Sequence, residues 1–261
     1  MVTTTPASAE PIVSAETAIA ALRSHDNQTR YYAAWWLGKY QVQDALIPLC
    51  EALSDEDYRT AEGGYPLRRQ AARALGQLKN PQAVPALLDV LSCSDLRLRE
   101  VVIQTLAAIA DPQAVQPLLQ LLVDGGEQPH EVLIEALGTL NVWEAKPWIE
   151  PFLNHSSERV QCAAARYFYL LTQKPEYIER IVRNLDHENM YLRWAAAFDL
   201  GAIGHLEAAN AIISAKIGNG LKLLNLKRIL ESVLNSDLDE NKKQEKVQFL
   251  LQAIDKLLIQ L

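Results

Sequence analysis

A Leu-Gly step recurs along the chain at a nearly fixed interval, and no other feature restricts the possible fold as far. Copies stand at Leu37-Gly38, Leu75-Gly76, Leu137-Gly138 and Leu200-Gly201, with Leu106 and Phe168 where two further copies should be. The six anchors are 38, 31, 31, 31 and 32 residues apart. Self-similarity at this period signals stacked units, each too small to bury its apolar face alone. Residues 67–92 reveal the unit. Leu67, Ala71, Ala74, Leu75 and Leu78 keep helical spacing, as do Val84, Leu87, Leu88 and Leu91, which predicts two amphipathic helices. Between them Asn80-Pro81 ends one helix and starts the next, because Asn caps and Pro fits the first helical position. Asp111-Pro112 repeats the device one period later. The expected fold is all-α: an α-α superhelix (solenoid) of about six helix-hairpin repeats plus terminal helices. Such an array offers an extended surface and not an enclosed catalytic pocket.

The pattern places a helix over 14–24, repeats beginning near Arg30, Leu67, Leu98, Pro129, Val160 and Leu192, and a further helix over 221–234. The expected organisation is a mobile N-terminal arm, 1–13, one continuous solenoid, 14–234, a charged linker, 235–246, and a C-terminal capping helix, 247–261. The long first interval houses an insertion, SDEDYRTAEGGYP, over 54–66. Insertions into a repeat map to loops, often on the binding face.

A net charge of −7 argues against a nucleic-acid binder, which needs a basic field. No run approaches the ~20 apolar residues of a membrane span, and the N-terminus lacks the pattern of a secretory signal. A cytoplasmic location is expected. The three cysteines, Cys50, Cys93 and Cys162, lie in different repeats and read as reduced thiols, two or more of them packed as small hydrophobes. None of the five histidines has metal-ligand spacing. His155 and His187 occupy equivalent loops, but stacked helices lie about 9–10 Å apart, too far for one ion to take both. No metal site is expected.

Aligning the repeats on their anchors creates columns. Seven residues before the anchor stand Arg30, Arg68, Arg99, His130, Gln161 and Arg193, with Asp26 and Asp95 four residues before the first and third of these. An Asp/Arg ladder tying neighbouring repeats is the expected reading. Two residues before the anchor stand Trp35, Arg73, Gln104, Glu135, Arg166 and Phe198; six before it stand Tyr31, Arg69, Glu100, Glu131, Cys162 and Trp194. These columns are four apart and share one helix face. Its middle members are polar, so aromatics at both ends call for an explanation. Either terminal helices cover them, or a partner or planar ligand does.

Two clusters carry the chemistry. Arg30 to Lys39, RYYAAWWLGK, packs four large aromatics into six residues, and Trp36 replaces the small residues of its column. Gly63 to Arg69, GGYPLRR, followed by Arg73, sets a shaped turn before a cationic patch on an acidic chain. Guanidinium groups suit a dicarboxylate ligand or an acidic partner surface; pairing with Asp55, Glu56 or Asp57 is the intramolecular alternative. No nucleophile–base pair or phosphate loop is present, and Glu131 with Glu135 reads as a solvated face.

RYYAAWWLGK and GGYPLRRQAARALGQL resemble hallmark segments of the E subunits of the E/F-type phycobilin lyases. The resemblance extends through EALGTL (135–140), IEPFL (149–153), RVQCAAARYFYLL (159–171) and LKLLNLKRILE (221–231), and so covers nearly the whole chain. It implies a HEAT-like repeat fold and a heterodimer with an F-type subunit. The activity implied is thioether attachment of phycocyanobilin to a cysteine of a phycobiliprotein α subunit, with the bilin as substrate and no permanently bound cofactor. The short join VDGGEQPHE (123–131), NMYLRWAA (189–196) and the closing AIDKLLIQL resemble the members acting on the phycoerythrocyanin α subunit. That implies isomerisation to phycoviolobilin, with the isomerising residues on the F partner. The alternatives are a phycocyanin α-subunit lyase without isomerisation and a non-catalytic phycobilisome adaptor or chaperone. Under the resemblance Tyr31, Tyr32, Trp35 and Trp36 could stack on the bilin rings, Arg68 and Arg69 could clamp its propionates, and Tyr65, Arg73 and Trp194 join them as bilin- or partner-binding candidates. No catalytic acid or base is assigned.

Overall fold

The computed structural model describes residues 11–260, so most of the expected arm, 1–13, lies outside the described residues. Every regular element among the described residues is helical, as the repeat pattern requires. The helices group into two compact units, one ending at Val142 and one beginning at Trp143.

The first unit holds α1 (Ala15–Ala21), α2 (Asn27–Lys39), α3 (Leu46–Ala52), α4 (Pro66–Leu78), α5 (Val84–Val90), α6 (Leu96–Ile109), α7 (Val115–Asp124) and α8 (His130–Thr139). Helices α2, α4, α6 and α8 are the anchor helices and pack in sequence, each against the next. Leu37, Leu75, Leu106 and Leu137 are fully buried, each contributing about 2 kcal/mol by leaving water. The glycine beside the anchor sets how closely the helices approach. A Cβ on Gly38 would lie 2.7 Å from the Ala74 Cα, and one on Gly76 would lie 3.2 Å from the Thr105 Oγ1. The residue met is the one preceding the next anchor, so the column that holds Trp36, Ala74 and Thr105 is a packing column. Thr105 also donates from Oγ1 to the Ala72 carbonyl at 2.9 Å, tying two repeats through a buried bond.

Each of these hairpins turns in the same way. A residue with left-handed backbone ends the anchor helix: Gln41, Lys79, Ala110 and Asn141 in the first unit. The Asn80 and Asp111 side chains then accept from the Gln82 and Gln113 amides at 3.0 and 2.8 Å, as their positions before Pro81 and Pro112 predict. What they cap is a single 3-10 turn that runs into α5 or α7.

The Asp/Arg ladder is corrected by the structure. Asp26 caps α2 by accepting from the Thr29 amide at 2.7 Å, while Arg30 pairs with Asp55 and Asn27. Arg99 binds Gln128 and the Glu127 carbonyl at 2.8 and 2.9 Å. The arginines therefore fasten adjoining loops to the helices. Of the two ladder aspartates, Asp95 crosses repeats as expected, capping α6 and accepting from the Tyr65 amide at 3.0 Å.

The second unit holds α9 (Lys146–Ile149), α10 (Glu158–Thr172), α11 (Pro175–Val182), α12 (Met190–Ile203), α13 (Leu206–Ser214), α14 (Asn219–Leu234) and α15 (Glu240–Leu258). Arg159 on α10 meets the buried Asp199 on α12 at 2.8 Å. Helix α14 is a seventh anchor helix: a Cβ on Gly201 would lie 2.3 Å from the Asn225 Oδ1, so Leu226 takes the anchor place without a following glycine. Helix α15 packs on α14 through the buried Leu250, Ala253 and Leu257.

The expected linker, 235–246, is in error over its second half. Residues 240–246 form the first turns of α15, with the Asp239 side chain accepting from the Lys242 amide at 3.0 Å. Glu, Lys and Gln favour helix without needing an apolar face, so absence of apolar periodicity did not mean absence of helix.

Candidate functional site

The aromatic cluster is turned outward on α2. Tyr32 is 49% exposed and Tyr40 is exposed beside it, while Tyr31, Trp35 and Trp36 are half-buried. The Tyr32 and Trp35 rings stack with centroids 5.2 Å apart, and Trp36 lies 4.4 Å from Tyr40. The Lys39 ammonium sits 4.6 Å from the Trp35 ring and 5.5 Å from the Tyr40 ring, a cation–π arrangement at the helix end. The back of the same helix is sealed, with Ala33, Ala34 and Leu37 fully buried. Four partly exposed aromatics on one helix are the kind of surface on which a flat conjugated molecule can stack. Lys39 and Tyr40 extend the set proposed from sequence.

The GGYPLRR cluster behaves in the opposite way. Tyr65 is 6% exposed. The Arg68 guanidinium lies 4.5 Å from its ring and that of Arg59 5.3 Å. The Glu56 carboxylate near its hydroxyl raises its pKa above the usual tyrosine value. Tyr65 therefore has no open ring face for a ligand, and its assignment as a contact residue is corrected. Arg68 has a side chain only 11% exposed and donates to Glu56 at 2.9 Å. The intramolecular alternative thus describes Arg68. The same insertion supplies Asp55, buried against Arg30.

Arg69 and Arg73 differ from Arg68. Arg69 is half-buried, 3.8 Å from Asp95 and 3.4 Å from the Tyr65 carbonyl, and Gly64 makes room for it: a Cβ there would lie 2.9 Å from the Arg69 Nη2. Arg73 is exposed. These two occupy on α4 the positions that Tyr31 and Trp35 occupy on α2, and α2 packs along α4. One face of the first unit therefore passes from aromatic to cationic, then to Glu100 and Gln104 on α6.

Trp194 belongs to the second unit. It is 40% exposed, as is Phe198, with Tyr191 and Met190 exposed alongside; Tyr191 and Trp194 meet edge to face at 5.9 Å. Helix α14 adds the exposed Leu224 at the equivalent position. The terminal helices leave Trp194 and Phe198 exposed and cover Tyr31 and Trp35 only in part. The middle of the column is less wet than expected. Cys162 is 1% exposed and accepts a hydrogen bond from the Asn184 Nδ2 at 3.2 Å.

Cys162 and Cys50 are not prepared for nucleophilic work. Burial pushes the Cys162 thiol up to about 11, and burial also raises that of Cys50; a high pKa leaves little thiolate at neutral pH. All three cysteines are free, and Cys50 and Cys93 are only half-buried. Among the described residues, no three His, Cys, Asp or Glu side chains are placed to hold a metal ion. No helix of the described residues is long and apolar enough to cross a membrane.

Sequence reasoning missed Arg59 and Arg97, which line a groove with Arg69. Both lie outside the columns that were compared. The signal for Arg59 was a cation inside the insertion, and for Arg97 a cation in the first turn of the next anchor helix.

Comparison with known proteins follows the same lines. Models of HEAT repeats match residues 61–138, and models of the PBS lyase HEAT-like repeat match 29–55 and 192–217. The chain is 64% identical to the bilin biosynthesis protein PecE of Mastigocladus laminosus, over 97% of this chain and 98% of that protein. It is 67% identical to PecE of Nostoc sp. PCC 7120, over 97% and 99%. The phycocyanobilin lyase subunit alpha of the same Nostoc strain is 45% identical over 89% of each chain. Among solved structures, that of the complex of CpcE and CpcF of phycocyanin lyase from Nostoc sp. PCC 7120 matches with a TM-score of 0.83 at 44% identity, covering 98% of this chain and 99% of that one.

Proposed function

The chain belongs to the family of E-type bilin lyase subunits, and from that premise we propose that, together with an F-type partner, it attaches phycocyanobilin to a cysteine of the phycoerythrocyanin α subunit and takes part in its isomerisation to phycoviolobilin. The observation that carries the choice of acceptor is the gap in similarity. Identity to the PecE proteins is 64% and 67%, against 40–46% for the phycocyanobilin lyase alpha subunits. The platform on α2 and the arginines of α4 fit the substrate class, a long planar conjugated molecule with two carboxylate arms.

The chemistry follows from what the chain offers and what it lacks. The acceptor's thiol supplies the sulfur. Its S–H bond breaks, a C–S bond forms at the ethylidene carbon of the bilin, and the proton ends on the tetrapyrrole. This chain's own residues hold and orient. Tyr31, Tyr32, Trp35 and Trp36 stack against the rings, and Arg69 and Arg73 face the carboxylates. Fixing two reactants in attack geometry lowers a barrier by as much as about 7–11 kcal/mol, so a subunit without a nucleophile can still be essential.

Co-production with the F subunit and the α subunit of phycoerythrocyanin in a bilin-producing host tests this reading. A covalent adduct absorbing at the violobilin position, formed only when both subunits are present, is the expected result. An adduct at the cyanobilin position would instead assign a non-isomerising lyase, and no adduct would assign an adaptor.

A further inference from the structure

The insertion 54–66 and the start of α6 enclose a groove of about 690 Å³ in the first unit, lined by Arg59, Glu62, Gly64, Arg69, Asp95 and Arg97. The insertion is folded to build one wall of it. Gly63 takes a left-handed backbone at φ 83°, the Thr60 amide donates to the Gly64 carbonyl at 2.8 Å, and the Gly63 amide to the Thr60 carbonyl at 2.9 Å. This turn carries Arg59 against Tyr65 and leaves space for the Arg69 guanidinium behind Gly64. Arg97 comes from the opposite wall, one repeat later, and its side chain is exposed.

The charges in the groove do not cancel. Three guanidinium groups face two carboxylates, and the Asp95 carboxylate is already used by the Arg97, Leu98 and Tyr65 amides at 3.0, 3.2 and 3.0 Å. Arg69 stands 3.8 Å from it, longer than a hydrogen bond. An arginine fork pairs two parallel N–H groups with a carboxylate. A surplus of one positive charge, with Glu62 and Asp95 in the lining, suits single carboxylates better than multiply charged phosphates. Arg69 shares its column with Tyr31, so the groove adjoins the cationic end of the aromatic face.

We propose that this groove receives a propionate carboxylate of the bilin, gripped between Arg59 and Arg97, with Arg69 joining it to the aromatic platform. The assignment rests on the bilin-lyase reading above. It replaces Arg68, which Glu56 and Tyr65 occupy, and gives the insertion a task that the aromatic platform leaves open.

The test uses the full chain in complex with its F subunit, and phycocyanobilin alongside its dimethyl ester, in which both carboxylates are neutral. Binding is read by the change in bilin absorbance and fluorescence. Wild type should bind the acid about tenfold more tightly than the ester, the effect of one charge-assisted pair at a partly open site. Arg59→Gln with Arg97→Gln should lose that preference and leave ester affinity unchanged. Arg97→Gln alone, at an exposed position, should lose part of it, so impaired folding of the double variant does not decide the matter. Retention of the full preference by both variants overturns the groove assignment while the lyase reading stands. So does a variant that keeps the preference but binds the acceptor α subunit more weakly, which would assign the groove to an acidic protein segment. Failure of the wild-type pair to bind or transfer either form overturns the lyase reading, and the groove assignment with it.

Discussion

RYYAAWWLGK and GGYPLRR stand out equally in the sequence and sit in the same unit, yet the fold uses them in opposite ways. On α2 the aromatics stack on one another and open to solvent. In the insertion, Tyr65 is buried against the Arg59 and Arg68 guanidinium groups, with the Glu56 carboxylate near its hydroxyl. The difference lies in the charges nearby. Aromatics spaced along a helix with small residues behind them have no local cover. A tyrosine flanked by arginines and a short acidic run, SDED, carries its own. A dense cluster of aromatic and cationic residues therefore stays open to solvent only where the chain lacks counter-charges within reach.

The sharpest break of this contrast is truncation on each side. Tyr65→Ala removes a buried ring against which the Arg59 and Arg68 guanidinium groups stack, so stability should fall by about 3 kcal/mol, measured by urea unfolding. A loss below about 1 kcal/mol would place Tyr65 on the surface with the α2 aromatics. Next comes the sealed back of α2. Gly38→Ala drives a Cβ into the Ala74 backbone and should cost about 1–3 kcal/mol, whereas Gly76→Ala meets only the Thr105 side chain at 3.2 Å and should cost less. Equal losses would mean that the Leu-Gly step does not set helix approach.

A smaller effect appears with pH. The Tyr65 hydroxyl has a raised pKa in the folded chain because the Glu56 carboxylate lies near it and burial disfavours the phenolate. Its contribution to stability is therefore present below the ordinary tyrosine value of about 10 and is lost as pH rises through the raised value. Tyr65→Phe should be less stable than wild type at neutral pH, and the gap should close above about pH 10. A constant gap in urea unfolding across that range would remove the influence of Glu56 on Tyr65 from the account. The smallest stability change belongs to Trp35→Ala, whose half-buried ring should cost about 1 kcal/mol or less.

Much of this fold was legible because repeats reduce the problem to one hairpin. The interval between anchors located the anchor helices, and Asn80-Pro81 and Asp111-Pro112 located their turns. The helix over 221–234 was legible, but its place as a seventh anchor helix was hidden because Asn225-Leu226 lacks the glycine that served as the ruler. The start of α15 was hidden because its charged turns bury nothing. Of the candidate site, Tyr31 and Trp35 could be picked out by their departure from polar columns, Trp36 by replacing the small residues of its column, and Tyr32 by its place in the same aromatic run. The fate of Tyr65 and Arg68 could not, since it depends on how the insertion folds back to bring Glu56 within 2.9 Å of Arg68. Arg59 and Arg97 are 38 residues apart in sequence and become neighbours only through that same loop.

The most direct test is the rate of bilin transfer by purified Trp35→Ala chain with its F subunit and acceptor, alongside its melting temperature. A platform that only orients the bilin predicts transfer at least about tenfold slower with a melting temperature within about 2–4 °C of wild type. Unchanged transfer, or a loss that merely follows a large drop in melting temperature, would contradict the assignment of α2 as the bilin-holding face.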